Sequence, residues 1–156
     1  MPKKHYSLSK WDKRYITIAK LVSEWSKDPS EVGAVIVTNE GISLGFNGFP
    51  VGIEDDERLY NRATKLDMII HAEQNALLIA GSRAKEASIY VWGKPICARC
   101  AVLIIQAGIS KIVAINPEDE PNKESEWYKL GKLAVEMFEE AQKDIIFYKA
   151  ELFLRT

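Results

Sequence analysis

A chain of 156 residues has the size of one ordinary domain, residues 1–156, long enough to bury roughly two thirds of its unfolded surface in a single core. Its apolar fraction of 47% and charged fraction of 28% fit a globular protein, and no apolar run approaches the roughly 20 residues of a membrane span. The formal net charge of −1 argues against a nucleic-acid polyanion as partner but leaves room for a mononucleotide, whose phosphate needs only one or two cations.

The N-terminal Met1-Pro2-Lys3-Lys4-His5-Tyr6 is basic but precedes an amphipathic segment, so it does not read as a signal peptide and a cytoplasmic location is expected. Ser9 followed by Asp12 has the form of a capping box. Trp11, Tyr15, Ile18, Ala19, Val22 and Trp25 then recur at spacings of three and four, which predicts an amphipathic helix over 9–26 with its aromatics in the core. Pro29 in Ser26-Lys27-Asp28-Pro29-Ser30 ends it. A β-branched run at 32–37, the turn Asn39-Glu40-Gly41 and the stretch 42–46 predict a hairpin. Asn47-Gly48-Phe49-Pro50-Val51-Gly52 is a loop at a strand's carboxyl end, the place where open α/β sheets bind ligands.

The polar stretch Glu54-Asp55-Asp56-Glu57-Arg58 through Arg62 reads as a solvated loop and short helix. From Asp67 the chain turns apolar and enters a helix from His71 to about 80, ended by Gly81-Ser82. A strand at 88–92, a loop at Gly93-Lys94-Pro95, a helix at 98–106 and a strand at 111–115 follow. A long helix over 124–142 carries Trp127, Leu130, Ala134, Met137, Phe138 and Ala141 on one stripe, and 144–148 makes a fifth strand; the sequence leaves 150–156 open between a tail and a short helix. Strands alternating with helices after a hairpin predict an α/β fold with a mixed five-stranded sheet. The near-continuous apolar first strand calls for helices on both faces, a three-layer α/β/α arrangement.

The chemistry concentrates at two places. Cys97 and Cys100 are the only cysteines, three apart at a helix start, where free N–H groups and the helix dipole favour thiolate. Alone, a C-x-x-C also serves redox couples or half of a structural zinc site. Of the two histidines, His5 lies in an N-terminal segment expected to be loose, which leaves His71 as the third ligand. Three ligands with an open position describe a catalytic zinc, and Glu73, two residues from His71 at a helix start, cannot share its face and is aimed beside the metal as a base.

His71-Ala72-Glu73 with Pro95-Ile96-Cys97-Ala98-Arg99-Cys100 resembles the H-x-E…P-C-x-x-C signature of the zinc nucleobase deaminases. The Ser26-Lys27-Asp28-Pro29, Val32–Val37, Asn47-Gly48-Phe49-Pro50 and Leu103-to-Ile109 segments make the chain most similar to the deoxycytidylate (dCMP) deaminase family within the cytidine deaminase-like superfamily. One departure is Ile96, which stands between Pro95 and the first cysteine where the family has proline directly before it.

The resemblance implies hydrolysis of dCMP to dUMP and ammonia, a step feeding dTTP synthesis, with one Zn2+ on His71, Cys97 and Cys100. Glu73 takes a proton from the attacking water and delivers it to N3 of cytosine. Asn47 corresponds to a sugar-contacting residue, Gly48, Phe49 and Pro50 shape the pocket, and Ala72 joins the substrate-binding set. Lys27 and Arg58, on flanking loops, are the candidates for the 5′-phosphate, and Arg99 reads as a surface helix residue. A homo-oligomer is implied, as are dCTP and dTTP effectors in some members, with Mg2+ accompanying such a nucleotide. The competing readings are a deaminase of cytidine or deoxycytidine, dCTP, guanine or tRNA adenosine, and a nucleotide-binding protein without catalysis, against which Glu73 speaks. The Lys10, Lys13 and Arg14 cluster reads as a solvated helix face.

Overall fold

The computed structural model describes residues 6–154, so His5 and the chain's last two residues lie outside the described part. Helix α1 (Lys10–Ser23) starts at the expected capping box: Ser9 Oγ accepts the Asp12 N–H at 3.0 Å and Asp12 Oδ2 accepts the Ser9 N–H at 3.0 Å. Strands β1 (Gly33–Thr38) and β2 (Gly41–Phe46) form the hairpin. The polar stretch after it resolves into a 3₁₀ turn at Glu57–Tyr60 and a seven-residue helix α2 (Arg62–Met68), which reaches into a segment expected to be only the approach to the next helix. Then come α3 (Ala72–Ala80), β3 (Ser88–Trp92), α4 (Ala98–Gln106), β4 (Lys111–Ile115), α5 (Glu126–Glu140) and β5 (Asp144–Tyr148). The tail makes one further 3₁₀ turn at Ala150–Phe153.

The five strands lie in the order β2-β1-β3-β4-β5. β1 runs antiparallel to both neighbours, whereas β3, β4 and β5 are parallel, which gives the mixed sheet. Because side chains alternate along a strand, each strand feeds both faces. Val35, Tyr90, Val113, Ile146 and Tyr148 meet Ile16 and Ala19 of α1 on one side. Ala34, Ile36, Ile89, Ile112 and Ile145 meet Ala76, Ile104 and Phe138 of α3, α4 and α5 on the other. Each such aliphatic side chain contributes roughly 1.5–3 kcal/mol on burial. Among the described residues no helix is long and apolar enough to cross a membrane.

The aromatics at the two ends of the first predicted helix are not in the core: Trp11 is 58% and Trp25 52% exposed. The buried stripe of α1 runs through Asp12, Ile16, Ala19 and Val22, which turns Trp11 outward beside it, and the helix ends at the Glu24 cap before Trp25 is reached. Trp11 instead stacks on Tyr15 at 5.8 Å between centroids, with the Arg14 guanidinium 4.5 Å above its ring.

One close approach seats the next helix. A Cβ on Gly45 in β2 would come within 2.3 Å of the Ala72 carbonyl oxygen and 2.5 Å of the Ala76 nitrogen, so the first turn of α3 lies directly on the strand backbone.

Candidate metal centre and substrate cleft

β2 and β3 both run opposite to β1, so their carboxyl ends emerge at the same edge of the sheet. There α3 and α4 begin. His71 is the N-cap residue of α3, in extended conformation at φ −74° and ψ 155°, with its N–H donating to Gln74 Oε1 at 2.9 Å. Cys97 is the N-cap residue of α4 at φ −82° and ψ 161°, and Cys100 follows in its first turn. Two positive helix ends therefore converge on one point, which favours anionic ligands there.

His71 Nδ1 lies 3.2 Å from Cys100 Sγ and 3.5 Å from Cys97 Sγ, and the two sulfurs are 3.6 Å apart. Tetrahedral zinc with ordinary bond lengths requires N···S edges of about 3.6 Å and S···S edges of about 3.8 Å. The three donor atoms thus stand on a triangle zinc can occupy with little adjustment, and the nitrogen–sulfur–sulfur set suits zinc's borderline softness. Among the described residues they form the one cluster of this kind, and Glu73 is not a member of it.

The protons of the site are unevenly held. A hydrogen bond from Cys100 outweighs burial and, with His71 adjacent, lowers the Cys97 thiol to about 4. Cys100 is pushed up by the same hydrogen bond and by burial, and His71 is raised by its contact with Cys97. Zinc binds thiolate and neutral imidazole, so a dication binding here competes with protons for these three atoms. Glu73, buried at the second position of α3, is pushed above the ordinary carboxylate range by burial, with the charge of His71 opposing. A carboxyl so placed is suited to carry a proton in both directions.

The cluster opens into a cleft bounded by α2, α3, α4 and the start of α5. His71, Ala72, Glu73, Cys97 and Asn47 line it. Asn47 is buried and already committed: its Oδ1 accepts the Val32 N–H at 3.0 Å and its Nδ2 donates to the Ser30 carbonyl at 2.7 Å. One amide proton and one lone pair remain for a ligand hydroxyl. Gly48 clasps Ile70 through N–H···O bonds of 3.1 and 2.8 Å, which ties the Asn47 loop to the residue before His71. Gly48, Phe49 and Pro50 therefore support the loop without lining the cleft.

Neither sequence-chosen cation is on the cleft wall. Lys27 is exposed on its loop, and Arg58 bonds Asp56 at 2.8 Å while lying over the Phe49 ring. The wall's cations are Arg62 and Lys65 from α2, Lys94 from the β3–α4 loop and Arg99 from the first turn of α4. Ile96 is buried in the core against the α3–α4–α5 layer, so the inserted residue anchors the loop that delivers Cys97, and Pro95 lines the cleft.

Residues 9–116 match the family model described as the cytidine and deoxycytidylate deaminase zinc-binding region. The chain belongs to the cytidine and deoxycytidylate deaminase family. An uncharacterized deaminase in the luxG 3′ region of Aliivibrio fischeri is 39% identical over 147 residues, covering 93% of this chain and 98% of that one. Human deoxycytidylate deaminase is 36% identical over 133 residues, covering 79% of this chain and 74% of its own. The crystal structure of a dCMP deaminase from the cyanophage S-TIM5, in complex with dCMP and dUMP, shares the fold at a TM-score of 0.68 and 22% identity over 91% of this chain and 99% of that one.

In this deaminase the sequence motifs mark the floor of the cleft but not its walls. Arg62 and Lys65 share α2, Lys94 stands on the β3–α4 loop, and none of them carries a motif. Trp127 and Leu130 of α5 pack against the core as their helical stripe implies, and the first turns of α5 also overhang the cleft, so that both residues line it. No local pattern distinguishes such a wall residue from a core residue.

Proposed function

We propose that this deaminase hydrolyses dCMP to dUMP with release of ammonia, and that residues 1–156 act as one zinc-dependent domain. The observation that carries the reading is the layout of one cleft: the His71, Cys97 and Cys100 cluster with buried Glu73 at its floor, and four cations on its wall. When bound, zinc supplies Lewis acidity that activates water as a nucleophile near neutral pH. Glu73 would accept a proton from the attacking water and pass it to N3 of cytosine as C4 is attacked. It would then take the proton of the new C4 hydroxyl and hand it to the amine as the C4–N bond breaks, so that ammonia leaves and the carbonyl of dUMP forms. Glu73 is free for this because it lies outside the ligand cluster. The remaining valences of Asn47 orient a sugar hydroxyl, and the backbone at Ala72 borders the base.

The wall separates nucleotide from nucleoside. Arg62, Lys65, Lys94 and Arg99 face only two carboxylates besides Glu73, those of Asp28 and Glu126. Asp28 engages Lys65 at 3.1 Å and accepts the Ser30 N–H at 2.8 Å, so its charge is already shared. The surplus suits a phosphomonoester of roughly −1.5 to −2 charge, which a neutral nucleoside or free base does not offer. Relatives named deoxycytidylate deaminases at 36% identity support the same substrate.

The exposed Leu78 and Ile79 of α3 and Val102 and Leu103 of α4 support a homo-oligomer assembled through that layer. The substrate test is ammonia release by the zinc-loaded protein from dCMP, deoxycytidine, dCTP, guanine and tRNA. Turnover of dCMP well above the others is expected; turnover of deoxycytidine without dCMP overturns the monophosphate assignment.

A further inference from the structure

The cleft has one wall that comes from outside the family-matching residues 9–116: the start of α5. Trp127, in the first turn of that helix, lines the cleft and is half-buried. Its indole centroid is 6.4 Å from the His71 ring, tilted by 36°, and the Lys94 ammonium lies 5.7 Å from the same centroid. One flat ring therefore borders both the metal-ligating floor and the cationic wall. That is the span a nucleotide would bridge with its base at the floor and its phosphate at the cations.

The position of this ring is built in. One turn further along α5, a Cβ on Gly131 would come within 3.0 Å of Pro117 Cγ and 3.2 Å of Pro95 Cβ. Glycine inside a helix costs roughly 0.5–1 kcal/mol relative to alanine. Here it lets α5 settle onto the two prolines, one of which follows Lys94 directly. Drawing the helix onto the β3–α4 loop brings Trp127 over the cleft next to Lys94.

We propose that Trp127 is a substrate-binding residue, its indole forming the face against which the substrate's pyrimidine ring stacks. The proposal rests on the dCMP reading above for its ligand. Stacking of a base on an aromatic side chain is worth ~1–3 kcal/mol, roughly a 5- to 150-fold change in affinity. A stacking platform acts on ring placement and not on proton transfer, so Trp127→Ala raises KM for dCMP about tenfold or more while kcat falls by a smaller factor. Trp127→Phe keeps most of the affinity, since phenylalanine retains a flat face.

A second readout does not depend on turnover. Trp11, Trp25 and Trp92 do not line the cleft, so binding of dUMP quenches the emission of Trp127 alone. The test is to titrate zinc-loaded wild type and Trp127→Phe with dUMP by tryptophan fluorescence and to measure KM and kcat for dCMP in wild type, Trp127→Phe and Trp127→Ala. Quenching in wild type that disappears in an active Trp127→Phe, with a KM-dominated loss in Trp127→Ala, supports the proposal. The same quenching in Trp127→Phe, or a KM within twofold of wild type in Trp127→Ala, overturns it. Should Trp127→Ala fail to fold, the fluorescence comparison decides alone. If wild type turns over deoxycytidine and ignores dCMP, the substrate reading fails instead, and the comparison is repeated with deoxyuridine to judge the stacking role on its own.

Discussion

Two buried polar clusters lie on opposite faces of the sheet, and they differ in where their polar atoms point. On the α1 face, Asp12 Oδ1 accepts the Tyr90 hydroxyl and the Lys111 ammonium, each at 2.8 Å, and Oδ2 accepts the Ser9 N–H. Charge and hydrogen bonds close on themselves, and the group fastens the start of α1 to β3 and β4. On the other face, His71, Cys97 and Cys100 turn their donor atoms on one another at the spacing of a metal's ligands, with Glu73 alongside. Burial alone marks neither cluster as functional. Convergence of one imidazole nitrogen and two sulfurs on one point at zinc's spacing does.

The comparison breaks most visibly if the second cluster is emptied. His71→Ala or Cys97→Ala, or exhaustive chelation, is expected to abolish ammonia release from dCMP and bound zinc together, as read by metal analysis beside the assay; activity surviving without metal contradicts the assignment of the cluster. Next in size, Gly45→Ala places a methyl group against the backbone of α3. Its cost is about 3 kcal/mol, the upper end for overpacking, because backbone cannot move aside as a side chain can. Urea denaturation reads it, and a midpoint equal to wild type contradicts the close approach.

A smaller effect is expected at Asp12. Burial raises its carboxyl, but hydrogen bonds from Lys111, Ser9 and Tyr90 outweigh it and hold the group below its ordinary 3.8. A depressed carboxyl contributes stability that is present above its unfolded value and lost as pH falls through the folded one. The contribution is therefore whole at pH 7 and begins to fall as pH drops below about 4, toward the depressed folded value. Asp12→Asn should lower stability by about 2 kcal/mol at pH 7 and by less at pH 3, with dCMP turnover little changed. Equal losses at both pH values would show that charge is not what Asp12 contributes. Smallest is Tyr90→Phe, at about 1 kcal/mol, since Asp12 keeps its other two partners.

How much of this was legible in the sequence depended on whether the signal was local. β3, α4, β4 and β5 lie where their apolar runs and terminal glycine or polar residues place them. The ligand cluster was legible because His71 and Cys97 are N-caps whose helices are themselves readable. α2 was legible only as a short helix somewhere in the polar stretch: its seven residues, Arg62–Met68, have no apolar stripe to fix its bounds, and no residue of it is buried. Trp11 and Trp25 were misplaced because a spacing of three or four does not fix where a buried stripe is centred. Lys65 and Lys94 reach the cleft from different segments, while Trp127 shares its helical stripe with residues that do pack in the core. These are facts of tertiary placement, and periodicity carries none of them.

In the mechanism proposed above, the buried carboxylate beside the ligand cluster moves the proton. Glu73→Gln keeps the side chain's size and hydrogen bonding but cannot carry the charge, so its zinc content and dCMP turnover measured on the same sample test the claim most directly. The expected result is zinc at the wild-type level with turnover reduced roughly 10²- to 10⁴-fold. Turnover within a few-fold of wild type, with zinc retained, would contradict it.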